Sequence, residues 1–235
     1  MKLSSPNMLR RALPLAIAMS AAIPAAAQSP QDNAMDARHL IYLPSRSPTV
    51  DQDAIIRALG DNGFSVITLP YAGETRPDYA RRVVGEIRAL VARGVAPDDI
   101  TVLGAGSGTS VAVLTSALAS SRRVNYVLLG QCDPLLKVDY RFRMSGRVLG
   151  LRDVADAGSQ SCRPLWTDSP KVSARRDMVL STAHGATVFD QPRVEWLQPV
   201  LEWNSGGRVD VGRIRIGAVE PPPGATGGPA TGAGN

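Results

Sequence analysis

Ile100-Thr-Val-Leu-Gly-Ala-Gly-Ser-Gly-Thr-Ser-Val-Ala-Val-Leu114 decides the reading of this chain. Ile100 to Leu103 is a short β-branched run, the pattern of a strand buried on both faces. Val111 to Leu118 is apolar and rich in Ala and Leu, which predicts a buried helix. Gly104, Gly106 and Gly108 lie between them. A strand that turns into a helix over so few residues needs small side chains, and glycine wherever φ is positive. Such a turn aims backbone N–H groups and the positive end of a helix at whatever sits above the sheet. Two site types use this geometry: the nucleophile elbow and the dinucleotide phosphate loop.

On either side of this turn, strands and helices alternate. His39 to Leu43, Phe64 to Leu69, Val124 to Leu129, Gly146 to Leu151 and Asp177 to Ser181 read as further strands. Asp51 to Leu59, Pro77 to Arg93 and Arg193 to Asn204 read as helices, each with apolar residues on one face. That alternation predicts a three-layer α/β/α sandwich around a mostly parallel sheet of about six strands. The domain runs from residue 38 to 204. Residues 205–219 alternate around Arg208-Val-Asp-Val and suggest an added strand or a strap. The tail at 220–235 is Gly, Pro, Ala and Thr and cannot bury enough to fold.

The N-terminus has the pattern of a signal peptide over residues 1–27. Lys2, Arg10 and Arg11 precede the apolar stretch Ala12 to Ile23, and Ala25-Ala-Ala27 is a cleavage site before Gln28. Pro14 and Pro24 break the apolar stretch short of the ~20 residues that a membrane span needs. Residues 28–37 are polar and read as a flexible lead-in. The expected location is periplasmic or extracellular. The formal charge of +5 falls to about +2 once those three basic residues are cleaved off. No basic stripe with interleaved aromatics remains, so no nucleic-acid partner is expected. Cys132 and Cys162 are the two cysteines, and an even pair in an exported chain suggests one disulfide. With only His39 and His184 as histidines, neither at zinc spacing from a cysteine, no metal or cofactor is expected.

Three loops follow the C-terminal ends of predicted strands, where open α/β sheets keep their sites. They carry Gly104 to Gly108, then Asp153-Val-Ala-Asp156, then His184-Gly185. In chain order these are elbow, acid and histidine, and here the chain resembles the α/β-hydrolase family over about His39 to Trp203. The resemblance implies Asp156 as the acid, with Asp153 as the alternative, and His184 as the base. It also implies that the turn Pro44-Ser45-Arg46 donates backbone N–H groups to an oxyanion, together with Ser107. The strand order it implies is 2-1-3-4-5-6, with the glycine turn at the switch point.

One residue departs from the pattern. In the frame Gly104-x-X-x-Gly108 the nucleophile position is Gly106, which has no side chain, and the serine follows at Ser107. A displacement of about 1 Å in an attacking atom can cost ~100-fold in rate. Either the turn is remodelled and Ser107 attacks an ester-type bond, or the hydrolytic site is lost and the cleft binds a small acyl or carbonyl ligand. A third reading is a non-catalytic interaction module on the same fold. Ser107 and Ser110 could equally cap the helix, and His39 at a strand start reads as structural. A dinucleotide loop fits worse: the third glycine is replaced by Thr109, and the motif follows the third strand rather than the first.

Overall fold

The computed structural model describes residues 38–216. The signal-peptide pattern at 1–27, the lead-in at 28–37 and the tail at 220–235 lie outside the described residues.

Six strands form one sheet in the order β2-β1-β3-β4-β5-β6. They are β1 (Arg38–Leu43), β2 (Phe64–Thr68), β3 (Ile100–Ala105), β4 (Asn125–Leu129), β5 (Ser145–Asp153) and β6 (Lys171–Leu180). Every neighbouring pair is parallel. The order reverses between β1 and β3, so the glycine turn after β3 stands at the switch point, where ligands bind in open α/β sheets.

Helices cover both faces, as parallel strands require. On one face, α2 (Arg76–Ala92) and α3 (Ser107–Ala119) bury Tyr79, Val83, Ile87, Leu90 and Val113 against Val102, Tyr126 and Val148 of the sheet. On the other, α1 (Gln52–Asp61) and α6 (Val194–Ser205) bury Ile55, Leu59, Trp196 and Leu201 against Leu40, Leu103, Val127 and Leu149. The helix starts follow from side-chain caps: Asp51 Oδ1 accepts from Ala54 N at 2.9 Å, and Thr75 Oγ1 accepts from Asp78 N at 3.3 Å.

Two short helices interrupt predicted loops: α4 (Leu135–Tyr140) after β4 and α5 (Arg163–Trp166) after β5. Cys132 and Cys162 are joined in a disulfide that ties these two connections together, with Cα atoms 5.0 Å apart. Residues 208–216 form no strand. Val209, Ile214 and Ile216 pack on the α1/α6 face. Asn62 holds the segment through its side chain, donating to Arg215 O at 2.7 Å and accepting from Arg215 N at 3.1 Å. Among the described residues no helix is long and apolar enough to cross a membrane.

Candidate functional site

The turn between β3 and α3 is built by close backbone approach. A Cβ on Gly104 would come within 2.6 Å of Gly108 O, and one on Gly108 would overlap Leu43 O. Both positions therefore demand glycine for space. Gly106 stands between them at φ 51° and ψ −114°, the strained conformation of an elbow apex. Its N–H donates to Leu129 O at 3.0 Å. Thr109, buried, fastens the turn from below, its hydroxyl reaching Gly104 O at 3.2 Å and Leu129 O at 3.1 Å.

The space above the apex is occupied. A Cβ built on Gly106 would lie 2.6 Å from Ser45 Oγ and 2.9 Å from Ser45 Cβ. Ser45 comes from the loop after β1, and its hydroxyl accepts from Ser47 N at 3.2 Å. The neighbouring Arg46 N–H, a donor that the resemblance assigns to an oxyanion, donates to Ser107 Oγ at 3.1 Å. Ser107 is the first residue of α3, Gly106 is its cap, and no side chain caps that helix, so neither Ser107 nor Ser110 has the capping role.

Two cavities meet at Ser45. One, of about 390 Å³, lies between the β1 and β2 loops and α2, and Ser107 opens into it. Arg46, Tyr71, Glu74, Tyr79 and Val111 share its lining. Its wall is ordered by stacking: the Arg46 guanidinium sits 5.1 Å from the Tyr71 ring, and the Tyr71 and Tyr79 centroids are 5.9 Å apart. The Tyr79 hydroxyl donates to Leu69 O, and burial pushes its pKa up. The other cavity, of about 300 Å³, lies over Gly106 and is lined by Leu129, Gln131, Asp156, Thr187 and Asp190 among others.

The expected triad residues are distributed unevenly over these spaces. Asp156 faces the cavity over Gly106, where its Oδ1 accepts from Gly158 N at 3.1 Å in a tight turn. Ser107 lies in the first cavity, which none of Asp153, Asp156 and His184 lines. His184 is exposed, and among the described residues its hydrogen bonds run through its backbone alone, from its N–H to Thr182 Oγ1 at 3.2 Å and from Thr187 Oγ1 to its carbonyl at 2.8 Å. Asp153, the last residue of β5, is fully buried and its side chain bonds to the histidine loop, with no hydrogen bond to the imidazole among the described residues. It accepts from Ala155 N at 2.8 Å, Thr182 N at 3.1 Å and Thr182 Oγ1 at 2.6 Å. Burial alone would raise the pKa of this carboxyl; the hydrogen bonds from Thr182, Ala155 and Gly185 outweigh it and hold the group below its ordinary value. His39 pairs with Ser65 and Ile100 near the start of β1, at the end of the sheet away from these loops. Among the described residues no cluster of His, Cys, Asp or Glu could hold a metal.

Sequence reasoning placed Ser45 as a backbone donor and missed its side chain, which reaches Gly106 across 61 residues with no local signal. It also missed Thr182, the link from Asp153 to the histidine loop.

No protein-family model matches the chain, and no curated protein sequence matches it. Solved structures do. An alpha/beta hydrolase enzyme from a Medee basin deep-sea metagenome library superposes with a TM-score of 0.53 at 13% identity, covering 75% of this chain and 86% of that one. A variant of Arabidopsis thaliana SOBER1 gives 0.52 at 9% identity, covering 72% and 98%. At such identities the likeness is one of fold, and the chain has the α/β-hydrolase fold.

Proposed function

We propose that this chain is a degenerate hydrolase: it keeps the fold and clefts, turns over no ester, and binds a small acyl- or carbonyl-bearing ligand in the cavity beside Ser107. The observation that carries this reading is Ser45 lodged against Gly106. An elbow works by projecting its apex oxygen towards a histidine. Here the apex has no side chain and its neighbour fills the gap. Ser107, the residue after the apex, opens into a separate cavity, and among the described residues the His184 ring has no hydrogen-bonded carboxylate to hold its tautomer. The cavity beside Ser107 sets an apolar and aromatic wall, from Pro70, Tyr71, Tyr79 and Val111, against the polar groups of Arg46, Glu74 and Ser107, which can orient a carbonyl.

The test is chemical. The wild-type protein is expected to show no turnover of a short-chain p-nitrophenyl ester above buffer and no labelling by a fluorophosphonate. Methyl butyrate, followed by saturation-transfer NMR, is expected to bind, and Ser107→Trp to abolish the signal by filling the cavity. Strong labelling that disappears in Ser107→Ala would overturn this reading and make Ser107 a displaced nucleophile. The same proposal places the protein outside the cytoplasm, on the pattern of residues 1–27. A mature N-terminus near Gln28 in an envelope fraction supports it, and Met1 retained in soluble cytoplasm would refute it.

A further inference from the structure

We propose that the outer end of the sheet carries a second site, independent of the glycine turn, for a phosphate-type oxyanion. β5 and β6 pair in register as Val148 with Arg175, Gly150 with Asp177 and Arg152 with Val179, so these side chains share one sheet face. Only the four-residue α5 follows β5 on that side, and it leaves a cleft of about 660 Å³ open beside it. Four arginines line the cleft, Arg152, Arg163, Arg175 and Arg176, with Asp177 as the one acidic residue among them. None of the four takes part in an ion pair or a side-chain hydrogen bond among the described residues; the ion pairs there are Arg81–Asp78, Arg82–Glu74, Arg93–Glu86 and Arg123–Asp98.

The cleft is built as well as charged. Asp177 Oδ2 accepts from Ser161 Oγ at 2.6 Å, and Ser161 Oγ in turn accepts from Arg163 N at 3.2 Å. Cys162, between these two residues, is fixed by its disulfide and packs against Gly150, where an added Cβ would lie 2.9 Å from Cys162 Sγ. Arg163 is thereby held at the mouth. Inside, Arg152 Nε and Asp177 Oδ1 are both buried without a hydrogen-bond partner among the described residues. Buried polar atoms are rarely left in that state. Charge along an edge strand can serve to discourage strand pairing, which would account for Arg175 and Arg176. It does not account for Arg152 on β5 or Arg163 on α5, which converge on the same space. Planar guanidinium forks that converge in this way suit an oxyanion with several acceptor oxygens.

The phosphate could be carried by a soluble molecule or by a lipid headgroup, and the experiment separates the two. Calorimetric titration with inorganic pyrophosphate reads the first. Flotation with phosphatidylcholine vesicles, with and without phosphatidylglycerol, reads the second. Saturable binding is expected in one arm, and the arm that responds identifies the source. Arg163→Gln with Arg175→Gln, both exposed, should weaken it about tenfold or more with no change in melting temperature. Arg57→Gln with Arg88→Gln, exposed on α1 and α2, should leave it unchanged. Absence of binding in both arms overturns the proposal, and so does an equal loss in the control pair, which would mark diffuse positive charge.

Discussion

Ser45 and Gly106 are complementary across the mouth of the sheet: the hydroxyl of one stands 2.6 Å from the point where the other would carry its Cβ. The loop after β1 has closed onto an apex that has no side chain, and the two features now require each other.

That relationship predicts a coupled pair. Gly106→Ser must both force a side chain into a positive-φ position and displace Ser45, at a cost of about 2–4 kcal/mol. Ser45→Gly on the same background should recover roughly half, because the crowding is relieved while the backbone strain persists. Denaturant unfolding of both singles and the double mutant measures the interaction energy. Fluorophosphonate labelling should stay at background throughout, since a restored apex oxygen still finds no oriented imidazole. Additive costs would refute the coupling.

Glycines outside the turn should behave in the opposite way. Gly85 lies within α2, and a Cβ there would meet nothing within 4 Å. Gly85→Ala is expected to stabilise the protein by about 0.5–1 kcal/mol, through helix propensity and a less flexible unfolded chain. Gly108→Ala would drive a Cβ into Leu43 O and is expected to give little soluble protein. A tolerated Gly108→Ala would mean that the strand-to-helix turn is looser than described.

The architecture was legible in the sequence because parallel strands buried on both faces advertise themselves as β-branched runs alternating with helices, whereas the 2-1-3-4-5-6 order came from the resemblance to the α/β-hydrolase family. What escaped notice lacks that periodicity. The reading of β6 began at Asp177, while the strand starts at Lys171, because the first half of this edge strand exposes Lys171, Ser173, Arg175 and Arg176. Helix α4 went unread because Leu135 and Val138 face solvent, 64% and 69% exposed, so it shows no apolar stripe. At the site, the glycine frame and the loop order were readable, whereas the side-chain contacts of Ser45, Thr182 and Asp153 depend on loops brought together from different strands.

The disulfide closes a loop between residues 30 apart in sequence. On the chain-entropy account it contributes roughly 3–4 kcal/mol. Intact mass after alkylation should show two protected thiols before reduction and two modified ones after it, and reduction should lower the unfolding midpoint. Free thiols in oxidised, folded protein would contradict the bond. An unchanged midpoint after complete reduction would contradict its stabilising role.

Asp153 gives a pH dependence whose sign is fixed. Its carboxylate accepts from Thr182 Oγ1 and from backbone N–H groups, and these bonds favour the charged form enough to hold its folded-state pKa below the ordinary 3.8, against the opposing effect of burial. A depressed folded-state pKa means that the unfolded chain takes up the proton first. The contribution to stability is therefore complete above pH 3.8 and is lost as the pH falls through the lower folded-state value. Asp153→Asn removes the charge and offers an amide N–H₂ where an acceptor is needed, which leaves one or two donors of the histidine loop unmet, at about 1–3 kcal/mol near neutrality. The wild type should lose stability more steeply than Asp153→Asn on acidification, so that the two curves converge below pH 3.8. A gap between them that stays constant down to pH 2.5 would show that Asp153 acts through shape alone and that the hydrogen bonds of the loop do not depend on its charge.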